Sequence, residues 1–92
     1  MIKNTNFAMQ MLYSSKENLK ILSGTICAIE TEEYGKKKID CAIIYYNRIK
    51  ILIPIHEMNI EQERKYLRNM LGANIDFIIL EIDEFRECAV AS

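Results

Sequence analysis

The residues that could carry out chemistry are few and far apart in the chain. The single histidine, His56, stands beside Glu57, and no nearby cysteine or serine completes a motif for nucleophilic catalysis. The cysteines Cys27, Cys41 and Cys88 are odd in number and lack the close pairing of a zinc site. We therefore expect buried, reduced thiols. The sequence predicts no catalytic residue, no metal site and no cofactor, and we expect a protein that is not an enzyme.

The carboxylates form two clusters, which are Glu30, Glu32 and Glu33 in the first and Glu81, Asp83, Glu84 and Glu87 in the second. Oxygen ligands of this kind bind divalent cations, but neither cluster has the spacing of a calcium loop. A solvated acidic face is the interpretation that this pattern favours.

Binding chemistry is better represented, because cations and tyrosines stand close together between residues 34 and 50. The candidate nucleic-acid-binding residues are Tyr34, Lys36, Lys37, Lys38, Tyr46, Arg48 and Lys50. An exposed aromatic ring contributes about 1–3 kcal/mol for each base that stacks on it. The alternative is that the lysine run only aids solubility. Strand alternation predicts that Tyr45 points inward and Tyr46 outward.

The composition is that of one small folded domain whose net charge is too low to create a strong electrostatic field. The chain has 92 residues, half of them hydrophobic, and a formal net charge of −1. A polyanion would therefore have to bind a local basic patch. We find neither a secretory signal nor an apolar run of the roughly 20 residues that span a bilayer, and we expect a cytoplasmic protein.

An amphipathic helix is predicted near the start of the chain, over residues 4–20. Phe7, Met11 and Leu12 lie on its apolar face. Surface helices usually bury such a stripe in their own domain, so we expect this face to pack on the rest of the fold. The alternative is that the same three residues contact a partner protein.

Five strands and a second helix are predicted in the rest of the chain. The strands are expected at residues 19–30, 38–46, 49–54, 75–82 and 85–91, and the helix at 60–71, between the third and fourth strands. Residues 31–37 are expected to form a charged loop, residues 47–48 a tight turn, and residues 83–84 the turn between the last two strands. The residues expected to face the core are Ile39, Cys41, Ile43 and Tyr45 of the second strand and Ile49, Ile51 and Ile53 of the third.

Three short motifs occur in the order found in a known family. Gly24 opens the first strand, Pro54 ends the third, and Gly72, Ile75 and Asp76 form a Gly-x-x-Ile-Asp entry into the fourth. From about residue 20 to 92 the chain resembles the S1 RNA-binding domain. The resemblance implies a five-stranded antiparallel barrel of the oligonucleotide-binding (OB) type, with a helix between strands three and four.

The resemblance is incomplete at the aromatic platform of the S1 family. Tyr34 and Gly35 match the start of the family motif, but Lys37 replaces its second aromatic residue. The family's histidine falls on Pro54, and His56 lies two residues later. These departures shift the expected binding from stacking to electrostatics, which implies a steep salt dependence and little base preference.

The sequence thus predicts a mainly β fold, an S1-like OB barrel at residues 20–92 with an extra N-terminal helix at residues 1–19 packed on it. Residues 20–92 are either the body of a whole protein or one domain of a longer one. The expected function is non-enzymatic binding of single-stranded nucleic acid, more readily RNA than DNA. The alternative is a protein-interaction module of a larger assembly that has lost the nucleic-acid platform.

Overall fold

The computed structural model of the chain describes residues 4–54 and 69–92. One helix, α1 (Asn4–Asn18), precedes all the strands. The strands are β1 (Leu22–Thr25), β2 (Ala28–Tyr34), β3 (Lys37–Tyr46), β4 (Ile49–Pro54), β5 (Asn74–Phe77), β6 (Ile79–Asp83) and β7 (Cys88–Ala91). No helix in the described part of the chain is long and apolar enough to cross a bilayer.

The strands form two sheets. The larger has the order β2-β3-β4-β7-β6, and the smaller pairs β1 with β5. All neighbours are antiparallel except β4 and β7, which run parallel. Along the chain β1 is followed by β2 after Ile26 and Cys27, and β5 by β6 after Ile78. At both places the chain therefore passes from the small sheet into the large one with only one or two residues between the strands.

The predicted closed, five-stranded antiparallel barrel is wrong, because the described strands lie in two sheets and include a parallel pair. The physical reason is that two predicted strands change partner partway. After β1, the Ile26 amide donates to Ala73 O, whereas the Cys27 amide donates to Ile43 O in β3. After β5, Ile78 exchanges both backbone hydrogen bonds with Ser92.

The predicted helix between the third and fourth predicted strands is not part of the described fold either. Most of it, at 60–68, lies outside the described residues, and residues 70–72 form a turn. The helix with described bounds is α1, at the N-terminal side of every strand.

The predicted charged loop at 31–37 is instead a tight hairpin. β2 continues to Tyr34 and β3 begins at Lys37, and these two residues pair across the strands. Only Gly35 and Lys36 form the turn, and Gly35 has φ of 64°. Two-residue hairpin turns favour residues with positive φ, which glycine adopts without a steric penalty.

The interior has a main core and a smaller second cluster on the other face of the large sheet. The residues that form the main core are Ala8, Leu12, Leu22, Ile26, Ala42, Ile44, Ile49, Ile51, Ile53, Phe77, Ile79, Ala89 and Ala91. The second cluster consists of Cys41, Ile43 and Leu52. Successive residues of β3 therefore alternate between two buried environments.

The face prediction for the third predicted strand is confirmed. That for the second is confirmed in part, because Cys41 and Ile43 are buried as expected, but Ala42 and Ile44 are buried as well and Tyr45 is exposed. Ile49, Ile51 and Ile53 of β4 are in the main core, as expected. In β3, Ala42 and Ile44 join that core, while Cys41 and Ile43 point to the second cluster.

Helix α1 packs on β6 and β4 through one side. Ala8 and Leu12 are buried in the main core, and Met11 packs against it. Ser15, one turn further along, is also buried, and its Oγ accepts a hydrogen bond of 3.0 Å from the Ile79 amide. Phe7, which we expected on this buried face, is 59% exposed.

Gly24 allows β1 to approach β3 closely, as its place in a predicted strand suggested. A Cβ atom at this position would lie 2.6 Å from Cγ2 of Ile44 and 3.5 Å from Cε1 of Phe77. Any residue other than glycine would therefore have to displace side chains of the main core.

Candidate functional site

The lysine run lies at the tip of the β2–β3 hairpin. Lys36, Lys37 and Lys38 are exposed, and no ion pair involves them within residues 4–54 and 69–92. Lys38 pairs with Glu33 across the strands. Glu32 and Glu33 precede the turn, so carboxylates of β2 offset much of the positive charge of this tip.

The structure does not bring the predicted nucleic-acid-binding residues together. Lys37 begins β3 and Tyr46 ends it. Nine residue steps of about 3.3 Å separate them, so the lysine tip and the Arg48 turn are roughly 30 Å apart along the strand. Arg48 is exposed there, in the turn before β4. The predicted cations thus form two groups at opposite ends of one strand.

Lys50, the last of the predicted cations, already has a partner. Its Nζ lies 2.5 Å from Oε1 of Glu30, and the two side chains are 30% and 39% exposed. The hydrogen bond with Glu30 is the main reason that the pKa of Lys50 is raised, and partial burial opposes it. Phosphate binding by Lys50 would have to compete with this carboxylate.

The two adjacent tyrosines are oriented opposite to the prediction. Tyr45 is 54% exposed, whereas Tyr46 is partly buried against the main core. The turn explains the difference, because Asn47 and Arg48 form a two-residue connection that pairs Tyr46 with Ile49. Cross-strand partners share a face, so Tyr46 must follow Ile49 into the core. The side chain of Tyr34 is not described.

A second turn, between β6 and β7, displays the most exposed aromatic residue of the described chain. Phe85 is 99% exposed at this turn of residues 84–87. Oδ1 of Asp83 accepts a hydrogen bond of 3.1 Å from the Arg86 amide. The Glu87 amide donates to Glu84 O over 3.2 Å, and Glu87 has φ of 52°. Phe85 is therefore presented on a hydrogen-bonded turn.

The sequence analysis predicted a turn at residues 83–84 and placed Phe85 in a strand, whereas the turn covers residues 84–87. The available signal was Asp83, because an aspartate side chain often accepts a backbone hydrogen bond from a residue two or three positions later.

The turn at residues 47–48 and the turn at residues 84–87 lie side by side. They precede β4 and β7, which run parallel and begin at the same end of the sheet. Lys50 pairs with Cys88, and the Lys50 amide donates to Glu87 O over 3.1 Å. On the other edge of β4 lies β3, in which Tyr45 is the partner of Lys50. We call the group formed by Tyr45, Arg48, Phe85 and Arg86 the turn-end surface.

The turn-end surface has aromatic and arginine side chains without a net positive charge. Arg48 and Arg86 are exposed, and Nε of Arg86 lies 3.9 Å from Oδ2 of Asp83. Glu84 and Glu87 flank Phe85 in the same turn. The two cations thus stand among at least as many carboxylates, and the surface has no excess of positive charge for a polyanion.

A groove of about 430 Å³ lies beside the Phe85 turn, between α1 and strands β6 and β7. Tyr13 lines it from α1, and Glu81, Asp83 and Glu84 line it from the sheet side. Partial burial and the nearby carboxylate of Glu84 raise the pKa of the Tyr13 phenol. Lys16 approaches the groove only loosely, with Nζ 3.9 Å from Oε2 of Glu81.

The cysteines occupy three different environments. Cys41 is buried, Cys88 is half-buried and lines the groove, and Cys27 is exposed, contrary to the prediction. Burial and, to a smaller extent, Asp83 raise the pKa of the Cys88 thiol, which keeps it protonated at neutral pH. His56 lies outside the described residues.

The described residues contain no group of three or more histidine, cysteine, aspartate or glutamate side chains arranged to hold a metal ion. What these surfaces offer is contact area, charge and hydrogen bonding to another molecule.

The predicted partner-binding face of α1 is largely occupied. Leu12 is fully buried and Met11 packs against the main core, so of the three predicted contact residues only Phe7 remains widely exposed.

No protein-family model matches the chain, and no curated protein matches it. The resemblance to S1 domains therefore stays a prediction.

Proposed function

We propose that this chain is a non-enzymatic, cytoplasmic protein-interaction module that contacts its partner through the turn-end surface. The observation that carries the proposal is the 99% exposure of Phe85 on a turn held by backbone and Asp83 hydrogen bonds. Burying a phenylalanine side chain contributes about 1.5–3 kcal/mol. Because hydrogen bonds already hold the backbone of this turn, binding loses little backbone conformational entropy there.

The neighbours of Phe85 fit the composition of a protein interface. Tyrosine, phenylalanine and arginine are enriched in interface cores, and Tyr45, Arg48 and Arg86 are exposed nearby. A single exposed apolar residue has no significance by itself. Here Arg48, Phe85 and Arg86 lie on adjacent turns, and Tyr45 lies near the end of β3, just before the first of them. A hydrogen bond from the Lys50 amide to Glu87 O joins the start of β4 to the second turn.

The charge distribution favours a protein over a nucleic acid. The lysine tip and Arg48 are roughly 30 Å apart along β3, and Lys50 is bound to Glu30. Single-stranded nucleic-acid sites combine aromatic rings with a continuous basic groove. In this chain the rings of the turn-end surface stand among carboxylates, and the lysines lie at the other end of the strand.

The test compares two exposed phenylalanines. Wild-type protein, Phe85→Ala and the matched control Phe7→Ala are used to recover partners from the source cells, with nuclease treatment, and the proteins are quantified by mass spectrometry. We expect a protein that wild type and Phe7→Ala retain and Phe85→Ala loses, and whose purified form binds the domain directly. Equal recovery by all three variants would contradict the proposal.

A nucleic-acid titration tests the alternative function, which is the binding of single-stranded RNA or DNA. Labelled single-stranded RNA and DNA are added to the isotope-labelled domain at low and at physiological salt, and amide shifts are followed by NMR. We expect no salt-sensitive shifts at residues 34–38 or 45–50. Such shifts at low salt would favour the nucleic-acid function predicted from the sequence and would count against the interaction module.

A further inference from the structure

We propose that the groove beside the Phe85 turn selects a partner segment with lysine or arginine side chains next to an apolar residue. This inference rests on the proposed function, since it gives the chemistry of the partner that the turn-end surface would contact. The apolar residue packs on Phe85, and the cationic side chain enters the groove beside Tyr13 and the carboxylates of Glu81 and Glu84.

The first step of the argument is that the groove and Phe85 are one continuous surface. Glu84 lines the groove and is followed directly by Phe85 in the same turn. A volume of about 430 Å³ is within the range of sites that accept a small molecule, and is ample for one long side chain. A short peptide can therefore contact both features at once.

The second step concerns charge. Three carboxylates, Glu81, Asp83 and Glu84, line the groove, and the side chain of Glu81 is 77% exposed. Nζ of Lys16 lies 3.9 Å from Oε2 of Glu81, and Nε of Arg86 lies 3.9 Å from Oδ2 of Asp83. Both distances are at the outer limit of an ion pair. The groove thus has an excess of negative charge that a positively charged side chain of a partner complements.

The third step concerns the aromatic wall. Tyr13 lines the groove from α1, with its phenol close to the carboxylate of Glu84. The face of a tyrosine ring attracts lysine and arginine cations by about 0.5–1 kcal/mol at exposed sites. The carboxylates would repel an anionic segment, and a purely apolar segment would leave them without an ionic partner.

The experiment uses two mixtures of short peptides with the same apolar residues. One mixture has lysine and arginine at the variable positions, and the other has glutamate and aspartate. Each is titrated into the isotope-labelled full chain, and amide shifts are followed by NMR. The proteins are wild type, Glu81→Gln/Glu84→Gln, Phe85→Ala, and a charge-matched control, Glu32→Gln/Glu33→Gln, on β2.

We expect the basic mixture to shift amides of residues 81–88 and the acidic mixture to leave them unchanged. Glu81→Gln/Glu84→Gln should weaken basic-peptide binding about three- to tenfold, as expected for two exposed charge pairs, and raised salt should reduce the difference. Glu32→Gln/Glu33→Gln should bind like wild type, although it has lost the same charge.

The outcomes separate the two proposals. Equal binding of both mixtures that Phe85→Ala abolishes would overturn the charge selection and leave the interaction module standing. No shift of residues 81–88 with either mixture would overturn both. Basic-peptide binding that is unchanged in Glu81→Gln/Glu84→Gln would overturn the groove as the site of selection.

Discussion

The middle of β3 and the end that leads into the Arg48 turn differ in what holds the side chains in place. Residues 41–44 are buried on both faces of the sheet, between the main core and the second cluster. At the turn end, Tyr45 and Phe85 are exposed, and backbone hydrogen bonds rather than side-chain packing fix their positions. Substitutions should therefore change stability in the first region and binding in the second.

The largest loss of stability is expected where β1 approaches β3. Gly24→Ala places a methyl group 2.6 Å from Cγ2 of the buried Ile44, which cannot move away freely. We expect a loss of about 1–3 kcal/mol in the free energy of unfolding, measured by urea denaturation. In a double-mutant cycle, Gly24→Ala should cost less in an Ile44→Ala background. A wild-type stability for Gly24→Ala would contradict the close approach.

A somewhat smaller loss is expected where α1 joins β6. Ser15→Ala removes the acceptor of the buried Ile79 amide, and an unsatisfied buried donor costs about 1–3 kcal/mol. The improved helix propensity of alanine offsets up to about 0.5 kcal/mol of this. Ser14→Ala is the matched control, since no hydrogen bond of the Ser14 side chain is found among the described residues. Equal denaturation midpoints of the two variants would exclude a role for the Ser15 contact.

The half-exposed pair of Lys50 and Glu30 lies between the two regions, and its contribution should be small. Lys50→Met should lower stability by about 0.2–1 kcal/mol at neutral pH, whereas Lys38→Met at the exposed hairpin tip should have no effect.

The pH dependence of this pair has a definite sign. The folded-state pKa of Lys50 is raised above its ordinary value of 10.5. Its contribution is therefore complete below that ordinary value and is lost as the pH rises through the folded-state pKa. Urea denaturation at neutral and alkaline pH should show the difference between wild type and Lys50→Met shrinking only on the alkaline side. A difference between wild type and Lys50→Met that stays the same at alkaline pH would contradict this account.

The smallest change in stability is expected at Phe85. Its side chain is 99% exposed, so Phe85→Ala should alter the free energy of unfolding by less than about 0.5 kcal/mol. The same variant should lose the partner that Phe7→Ala retains. A large loss of stability in Phe85→Ala would show that the ring packs on the fold, and the contrast between the two regions would fail.

Strand positions could be read from the sequence because their signals are local. The third predicted strand coincides with β4 (Ile49–Pro54), and Pro54 ends it by lacking a backbone donor. Helix α1 lies where the spacing of apolar residues placed it, although Ser15 rather than Phe7 completes its buried side. The close approach at Gly24 followed from a glycine in a β-branched segment.

The faces of β3 could also have been derived from the sequence. A two-residue turn at Asn47 and Arg48 pairs Tyr46 with Ile49, so the two cannot point to opposite sides. Assigning Ile49 to the core and Tyr46 to the surface was inconsistent. Period-2 alternation alone failed because β3 is buried on both faces and has no polar side to mark the register.

The sequence by itself determined the position of α1, the bounds of β4, the tight turn at residues 47–48 and the close contact at Gly24, because hydrogen bonding and sterics within a few residues decide them. Only the tertiary structure decided which residues form a surface. The parallel pairing of β4 with β7 brings Arg48 next to the Phe85 turn, whereas the length of β3 separates Arg48 from the lysines. Lys50 and Cys88, 38 positions apart in sequence, become neighbours through this strand pairing, and no local sequence pattern encodes a contact over that distance.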